Sequence, residues 1–257
     1  MQYTQYTMRT SSVPPTGGAA PGVVHIDRAG EVLTLTLDHP ERGNEITGAM
    51  FESVLGTLRE EAERPRARVL RLRARGTAFC TGRERAGRDL AGIRAEAARL
   101  ISLKRALRAS PLVSIAEVQG DAFGFGFGLA ILCDFAIVAE GAALAFPEML
   151  AGLPPAAIMA YLGEYALPRH AFPLVLFGQP VAPPRALEIG LISQVVTGQA
   201  ELSAAADELT DRILKLDPQA TRACKELFQT MLQGSFDTNC RLAVDALTLA
   251  SAALAKR

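Results

Sequence analysis

An α/β fold with a largely parallel sheet is predicted for this 257-residue chain by three observations. Strand-like and helix-like stretches alternate from Val23 to Ala139, a repetition that favours parallel strands joined by crossover helices. Two loops of unusual composition, AFCTGRE at 78–84 and DAFGFGFG at 121–128, follow strand-like runs, where open α/β sheets place their ligand sites. Beyond Pro155 the pattern turns almost wholly helical and rich in alanine.

Glu31 to Asp38, EVLTLTLD, alternates apolar and polar residues at period two, with Val23 to Ile26 as its hairpin partner across Arg28-Ala29-Gly30. After the loop HPERGNEIT, Thr47 is placed to cap a helix carrying Met50, Phe51, Val54, Leu55 and Leu58 on one face. Arg68 to Arg73 forms the next strand, and the arginines from Arg64 to Arg75 mark its polar face. The loop AFCTGRERAGRD, a helix over Leu90 to Arg108 and a strand over Leu112 to Val118 repeat the unit. A short helix over Leu129 to Cys133 follows, then strand-like runs at Asp134 to Ala139 and Ala143 to Phe146. Helices are expected at Ala156–Ala166, Pro183–Ile189, Ala200–Leu216, Pro218–Leu232 and Phe236–Lys256, interrupted by strand-like LISQVV. Residues 1–22, rich in Thr, Ser, Pro and Gly, read as a flexible tail.

Composition narrows the function classes. Lys plus Arg equals Asp plus Glu at 27 each, which gives no global field to draw nucleic acid or an anionic membrane. No run reaches the roughly 18 apolar residues that a membrane span needs. Cys80, Cys133, Cys224 and Cys240 include no CxxC pair, which suits a reducing cytoplasm. His25, His39 and His170 lie far apart without ligand spacing, so no metal site is expected.

The glycines at 120, 124, 126 and 128 crowd a segment that turns apolar at Leu129. Such density lets backbone approach a ligand closely before a buried helix whose first N–H groups lack internal partners, although glycine-rich turns also serve packing alone. AFCTGRE, GDAFGFGFGLAILCDFAIVA and FPEMLAGLPPA stand in that order, accompanied by the HPERGNEIT loop and by RALEIGLISQVV at 185–196. Together they resemble the enoyl-CoA hydratase/isomerase, or crotonase, superfamily over roughly residues 23–257.

That resemblance implies a crotonase-like spiral of ββα units over 23–196 and a C-terminal helical trimerisation subdomain over 197–257. It implies an acyl-thioester substrate, carried by coenzyme A or an acyl-carrier protein, no other cofactor, and a homo-trimer or dimer of trimers. By position, the backbone N–H groups of Arg83 and Phe125 would hold the thioester oxygen as it becomes an enolate, each donor being worth about 3 kcal/mol. Glu148 of the PE motif would be the general acid/base. Ala78, Cys80, Thr81, Gly82, Gly124, Phe127, Gly128 and Arg42 would line the substrate and CoA site, with Lys225 or Lys256 as further phosphate partners.

The sequence departs from the family where Phe125 and Phe127 replace small residues and where Arg83-Glu84-Arg85 replaces the frequent Ala-Asp-Leu. Gly128 stands where two-glutamate members carry their first acid. A glycine there with an acid at the second position is similar to relatives acting on branched acyl thioesters, as is the Pro-Ala-x-Ile-x-x-Tyr pattern from Pro155 to Tyr161. An enoyl hydratase or dehydratase is the leading expectation. A single-glutamate double-bond isomerase and a non-catalytic thioester-binding member remain open.

Overall fold

Leu33, Leu35 and Leu37 are buried at alternate positions, as the period-two pattern requires, and they fix the register of the first hairpin. In the computed structural model, which describes residues 21–85 and 87–254, β1 (Val23–Ala29) pairs antiparallel with β2 (Val32–Asp38). Most of the expected N-terminal tail, and Lys256, lie outside the described residues.

Helix α1 (Gly48–Glu63) starts at Thr47, whose side chain accepts a 3.3 Å hydrogen bond from the Met50 N–H. Its Met50, Phe51, Val54, Leu55 and Leu58 are all buried, each contributing about 1.5–3 kcal/mol of apolar transfer. Strand β3 (Val69–Ala74) then runs parallel to β2 and is followed by β4 (Ala78–Cys80) and by α2 (Leu90–Arg108), which Asp89 caps through a 2.7 Å bond from Gly92 N–H. Strands β5 (Val113–Val118) and β6 (Asp121–Phe123) lead into α3 (Phe125–Leu132). Strands β7 (Phe135–Ala139) and β8 (Leu144–Ala145) lead into a 3-10 turn at Pro147–Ala151 and α4 (Ala156–Met159).

The units β3–β4, β5–β6 and β7–β8 each give one strand to each of two sheets, and the chain spirals. The larger sheet has the order β1-β2-β3-β5-β7-β9, the last strand being Gln194–Val196, and is parallel beyond the hairpin. The smaller holds β4, β6 and β8, all parallel. Alternate residues of the large sheet enter two cores: Leu70, Leu72, Ala116, Val118 and Val138 face the main one, while Val69, Ile115 and Ile137 face α7 (Gln199–Leu214).

Several expectations need correction. The first three residues of each expected loop, Ala78–Cys80 and Asp121–Phe123, are short strands, because their backbones pair across the second sheet. The glycine-rich helix begins at Phe125, four residues before Leu129, since glycine helices without Cβ contacts pack tightly against β4. The helix expected over Ala156–Ala166 breaks after Met159 and resumes as a 3-10 turn at Leu162–Glu164. Pro168–Phe177, not anticipated, is helix α5; its internal Pro173 obscures the pattern. The arginines of β3 are not simply solvated: Arg71 bonds Glu117 at 2.6 Å and Asp207 at 2.5 Å beneath α7.

Helix α6 (Pro183–Glu188) precedes β9, and α8 (Pro218–Met231) and α9 (Phe236–Leu254) end the described chain. Helix α8 buries none of its residues, and Phe228, Leu232, Phe236, Val244, Leu247 and Leu249 are all exposed.

Candidate active site

The loop at 39–47 is locked before any ligand arrives. Asn44, fully buried and held at φ 55°, accepts from His39 N–H at 2.7 Å and donates to the carbonyls of Arg75 and Ala78 at 2.8 and 2.7 Å. Gln119 donates to the carbonyls of Ala74, Gly76 and Ala78 from the opposite side. These bonds fix the entry to β4, so the backbone that follows it has little freedom.

Beyond β4, the Thr81 N–H and hydroxyl both donate to Gly43 O, at 2.9 and 3.1 Å, and Gly82 takes φ 151°. Ile46 N–H donates to Gly82 O, and Glu84 N–H donates back to Ile46 O, which leaves the intervening Arg83 N–H without a protein acceptor among the described residues. The Arg83 side chain forms an ion pair with Glu96 of α2. The parallel pairing of β4 with β6 carries Gly82-Arg83 and Gly124-Phe125 to the same end of the small sheet.

Gly124, at φ 51°, turns the chain from β6 into α3. The Phe125 N–H, first in that helix, likewise has no protein acceptor among the described residues and points with the positive end of the helix dipole. Close approach requires glycine here: a Cβ on Gly126 would lie 2.0 Å from Cys80 O. A Cβ on Gly124 would lie 2.9 Å from Glu148 Oε1, so the carboxylate rests directly against the first turn of α3. Glu148 Oε2 is buried with no hydrogen-bond partner. Burial raises the Glu148 pKa above the ordinary carboxylate value, against the pull of Lys104, Arg85 and Arg83.

One turn further along α3, Gly128 faces a different pair. A Cβ there would lie 2.7 Å from the Tyr161 hydroxyl and 3.2 Å from Lys104 Nζ. Tyr161 donates to Gly128 O at 2.8 Å and accepts from Lys104 Nζ at 2.7 Å; Lys104 also reaches Ala157 O at 3.5 Å. Burial brings the Lys104 pKa down to about 8. Neither residue was singled out from the sequence for chemistry. The signal existed: in α2, Leu100, Leu103, Lys104 and Leu107 form one buried stripe, so a lysine sits among core positions.

The remaining expected site residues divide. Ala78 and Thr81 are half-buried beside the 39–47 loop, and Arg42 is exposed and pairs with Glu45 at 3.3 Å. Cys80 is buried, its thiol pushed up to about 12 by desolvation, and bonds Gly82 O. The Phe125 ring is buried 5.2 Å from the Phe51 ring. Phe127 is fully buried and stacks on Phe146 at 4.8 Å, so its side chain is core packing and not a site wall. Lys225 is committed internally, to Leu112 O at 2.5 Å and Asp134 at 2.6 Å, and is no free phosphate partner. Among the described residues no cluster of three His, Cys, Asp or Glu side chains is arranged to hold a metal ion.

A family-wide profile described as enoyl-CoA hydratase/isomerase matches residues 27–250. The chain belongs to that family. It is 31% identical over 218 residues to the carnitinyl-CoA dehydratase of Escherichia coli K12, covering 80% of each. It is 31% identical over 211 residues to an enoyl-CoA isomerase/hydratase of Mycosarcoma maydis, covering 76% of this chain and 75% of that one. The match to two mycobacterial relatives is shorter, 131 residues, and spans about half of their length, 53%. A Thermobifida fusca YX relative solved in complex with CoA superimposes with a TM-score of 0.80 at 30% identity, covering 91% of this chain and 95% of that one. The two-sheet spiral is accordingly the crotonase fold.

Proposed function

We propose that this protein is an enoyl hydratase or dehydratase acting on acyl thioesters, with CoA or a carrier protein as the thiol. The observation that carries this reading is the Glu148 carboxylate lying against Gly124, its Oε2 buried and without a hydrogen-bond partner, one residue from the uncommitted Phe125 N–H. In hydration, the Arg83 and Phe125 N–H groups hold the thioester oxygen. Glu148 takes a proton from water as the water oxygen bonds to Cβ. The enolate then collapses, Cα receives that proton from Glu148, and one water has been added. Dehydration reverses each step.

A second reading, double-bond isomerisation, is favoured by the single carboxylate: Glu148 alone could move a proton from one carbon to another, and Gly128 supplies no second acid. Incubation of the protein with a panel of enoyl-CoA thioesters, followed by mass spectrometry and chromatography, separates the two. Gain of 18 mass units, about one water, supports hydration; an isobaric product with shifted retention supports isomerisation. Glu148→Gln should lower either turnover at least about a hundredfold while thioester binding persists. Full turnover in that variant removes Glu148 from the mechanism, and CoA binding without turnover of any thioester supports a binding member. The exposed apolar residues of α8 and α9 support their burial against other copies of the chain, for which a homo-trimer or dimer of trimers is our reading, with a cytoplasmic setting.

A further inference from the structure

The stripe that α2 turns inward runs Glu96, Leu100, Leu103, Lys104 and Leu107, and all but the first of these are buried. Glu96 carries the stripe into the half of the helix, Leu90–Arg99, that buries none of its residues; only Gly92 and Glu96 are half-buried there. An apolar side chain would serve packing at that place as well or better, because withdrawing a charge from water is offset only by good partners. The partners of Glu96 lie on the segment that leaves β4. One carboxylate oxygen pairs with the half-buried Arg83 guanidinium, and the other accepts from Gly87 N–H at 2.9 Å. Gly87 itself rests on the first turn of α2, where a Cβ on it would lie 2.7 Å from Ile93 N.

We infer that Glu96 is a positioning residue for the Arg83 N–H, the group that holds the thioester oxygen in the reading above, on which this inference rests. The Arg83 backbone is bridged to Ile46, whose N–H donates to Gly82 O at 3.1 Å and whose carbonyl accepts from Glu84 N–H at 2.9 Å. The residue before it is Gly82, at φ 151° and with open space where a Cβ would stand, so the peptide that carries the Arg83 N–H is free to rock about that bridge. Glu96 supplies a second anchor from a different element. It grips the Arg83 side chain and the backbone at Gly87 together, and its own helix is fastened in the core by Leu100, Leu103 and Leu107. The direction of the Arg83 N–H is then set before substrate arrives, and a donor aimed in advance at a developing oxyanion needs no reorganisation during the reaction.

Infrared difference spectroscopy of bound butyryl-CoA, with and without a heavy-carbon label at the thioester carbonyl, tests this without depending on turnover. The carbonyl stretch should fall on binding to the wild type, because the oxygen accepts from the two backbone donors. Glu96→Ala should keep about half of that fall or less, while calorimetry still finds butyryl-CoA bound. Glu96→Gln, whose amide oxygen can accept from Gly87 N–H but carries no charge for Arg83, should lie between the two, and it carries the test if Glu96→Ala does not fold. A role confined to stability would lower the urea midpoint and leave the stretch of the bound thioester at its wild-type position. That unchanged stretch overturns the positioning role and leaves the thioester reading standing. No binding of butyryl-CoA by the wild type, or a bound stretch equal to that in water, overturns the thioester reading and this inference with it.

Discussion

Tyr161 donates a 2.8 Å hydrogen bond to the carbonyl of Gly128, and the same hydroxyl accepts 2.7 Å from Lys104. One phenol oxygen thus bonds a helix carbonyl and an ammonium at once, and without it the ammonium keeps only its 3.5 Å contact to Ala157 O. Tyr161→Phe is therefore expected to destabilise the protein by about 1–3 kcal/mol, read as a lower urea midpoint at constant slope. An unchanged midpoint would show that water takes over both bonds.

Lys104 should leave a signature in the pH dependence of stability. Burial lowers its folded-state pKa to about 8 from the ordinary lysine value of 10.5, so between those values the unfolded chain binds more protons. Stability contributed by this group therefore rises with pH from about 8 to about 10.5, and the burial penalty is fully present below 8. Wild type should gain up to roughly 3 kcal/mol relative to Lys104→Met across that window, measured by urea denaturation at each pH. Parallel profiles for the two proteins would refute the assignment.

Glu148 should shape the acid limb of the rate profile. Because burial raises its pKa above the usual 4.5, the carboxylate form is lost at a higher pH than for a solvated glutamate. Hydration, which needs the carboxylate to take a proton, should therefore weaken as pH falls through that raised value, and residual activity of Glu148→Gln should lack this limb.

An acid cannot simply be restored at position 128. A Cβ there meets the Tyr161 hydroxyl at 2.7 Å and Lys104 Nζ at 3.2 Å, so Gly128→Glu is expected to cost about 1–3 kcal/mol by overpacking and to disturb the Lys104–Tyr161 contact. Thermal unfolding measures the cost. Gly126→Ala should be worse, since its Cβ would strike backbone, Cys80 O at 2.0 Å, and separating α3 from β4 displaces the whole glycine turn.

Asn44→Ala removes three hydrogen bonds and places alanine at φ 55°. A loss on the order of 3 kcal/mol is expected, with Asn44→Gly recovering only the backbone share. The comparison of their denaturation midpoints separates strain from lost bonding.

Elements whose burial is periodic were legible in the sequence: the β2 alternation, the Thr47 cap and the five apolar residues of α1 all appear where the pattern places them. The short strands β4 and β6 were not, because three residues of a strand carry no period and pair only through a second sheet built from distant sequence. Of the site, Glu148, Gly124 and the Arg83 and Phe125 backbones converge through strand pairing that sequence order suggests. Lys104 and Tyr161 are 57 positions apart, and only packing of α2 against the turn after α4 brings them together. Phe127 illustrates the reverse: its neighbours define a site while its own side chain belongs to the core.

Helix α8, with none of its 14 residues buried, gains little hydrophobic stabilisation from its own protomer. If copies of the chain cover it, stability there becomes a property of protein concentration: dilution should unravel α8 and α9 before the sheets, as early hydrogen exchange confined to residues 218–254.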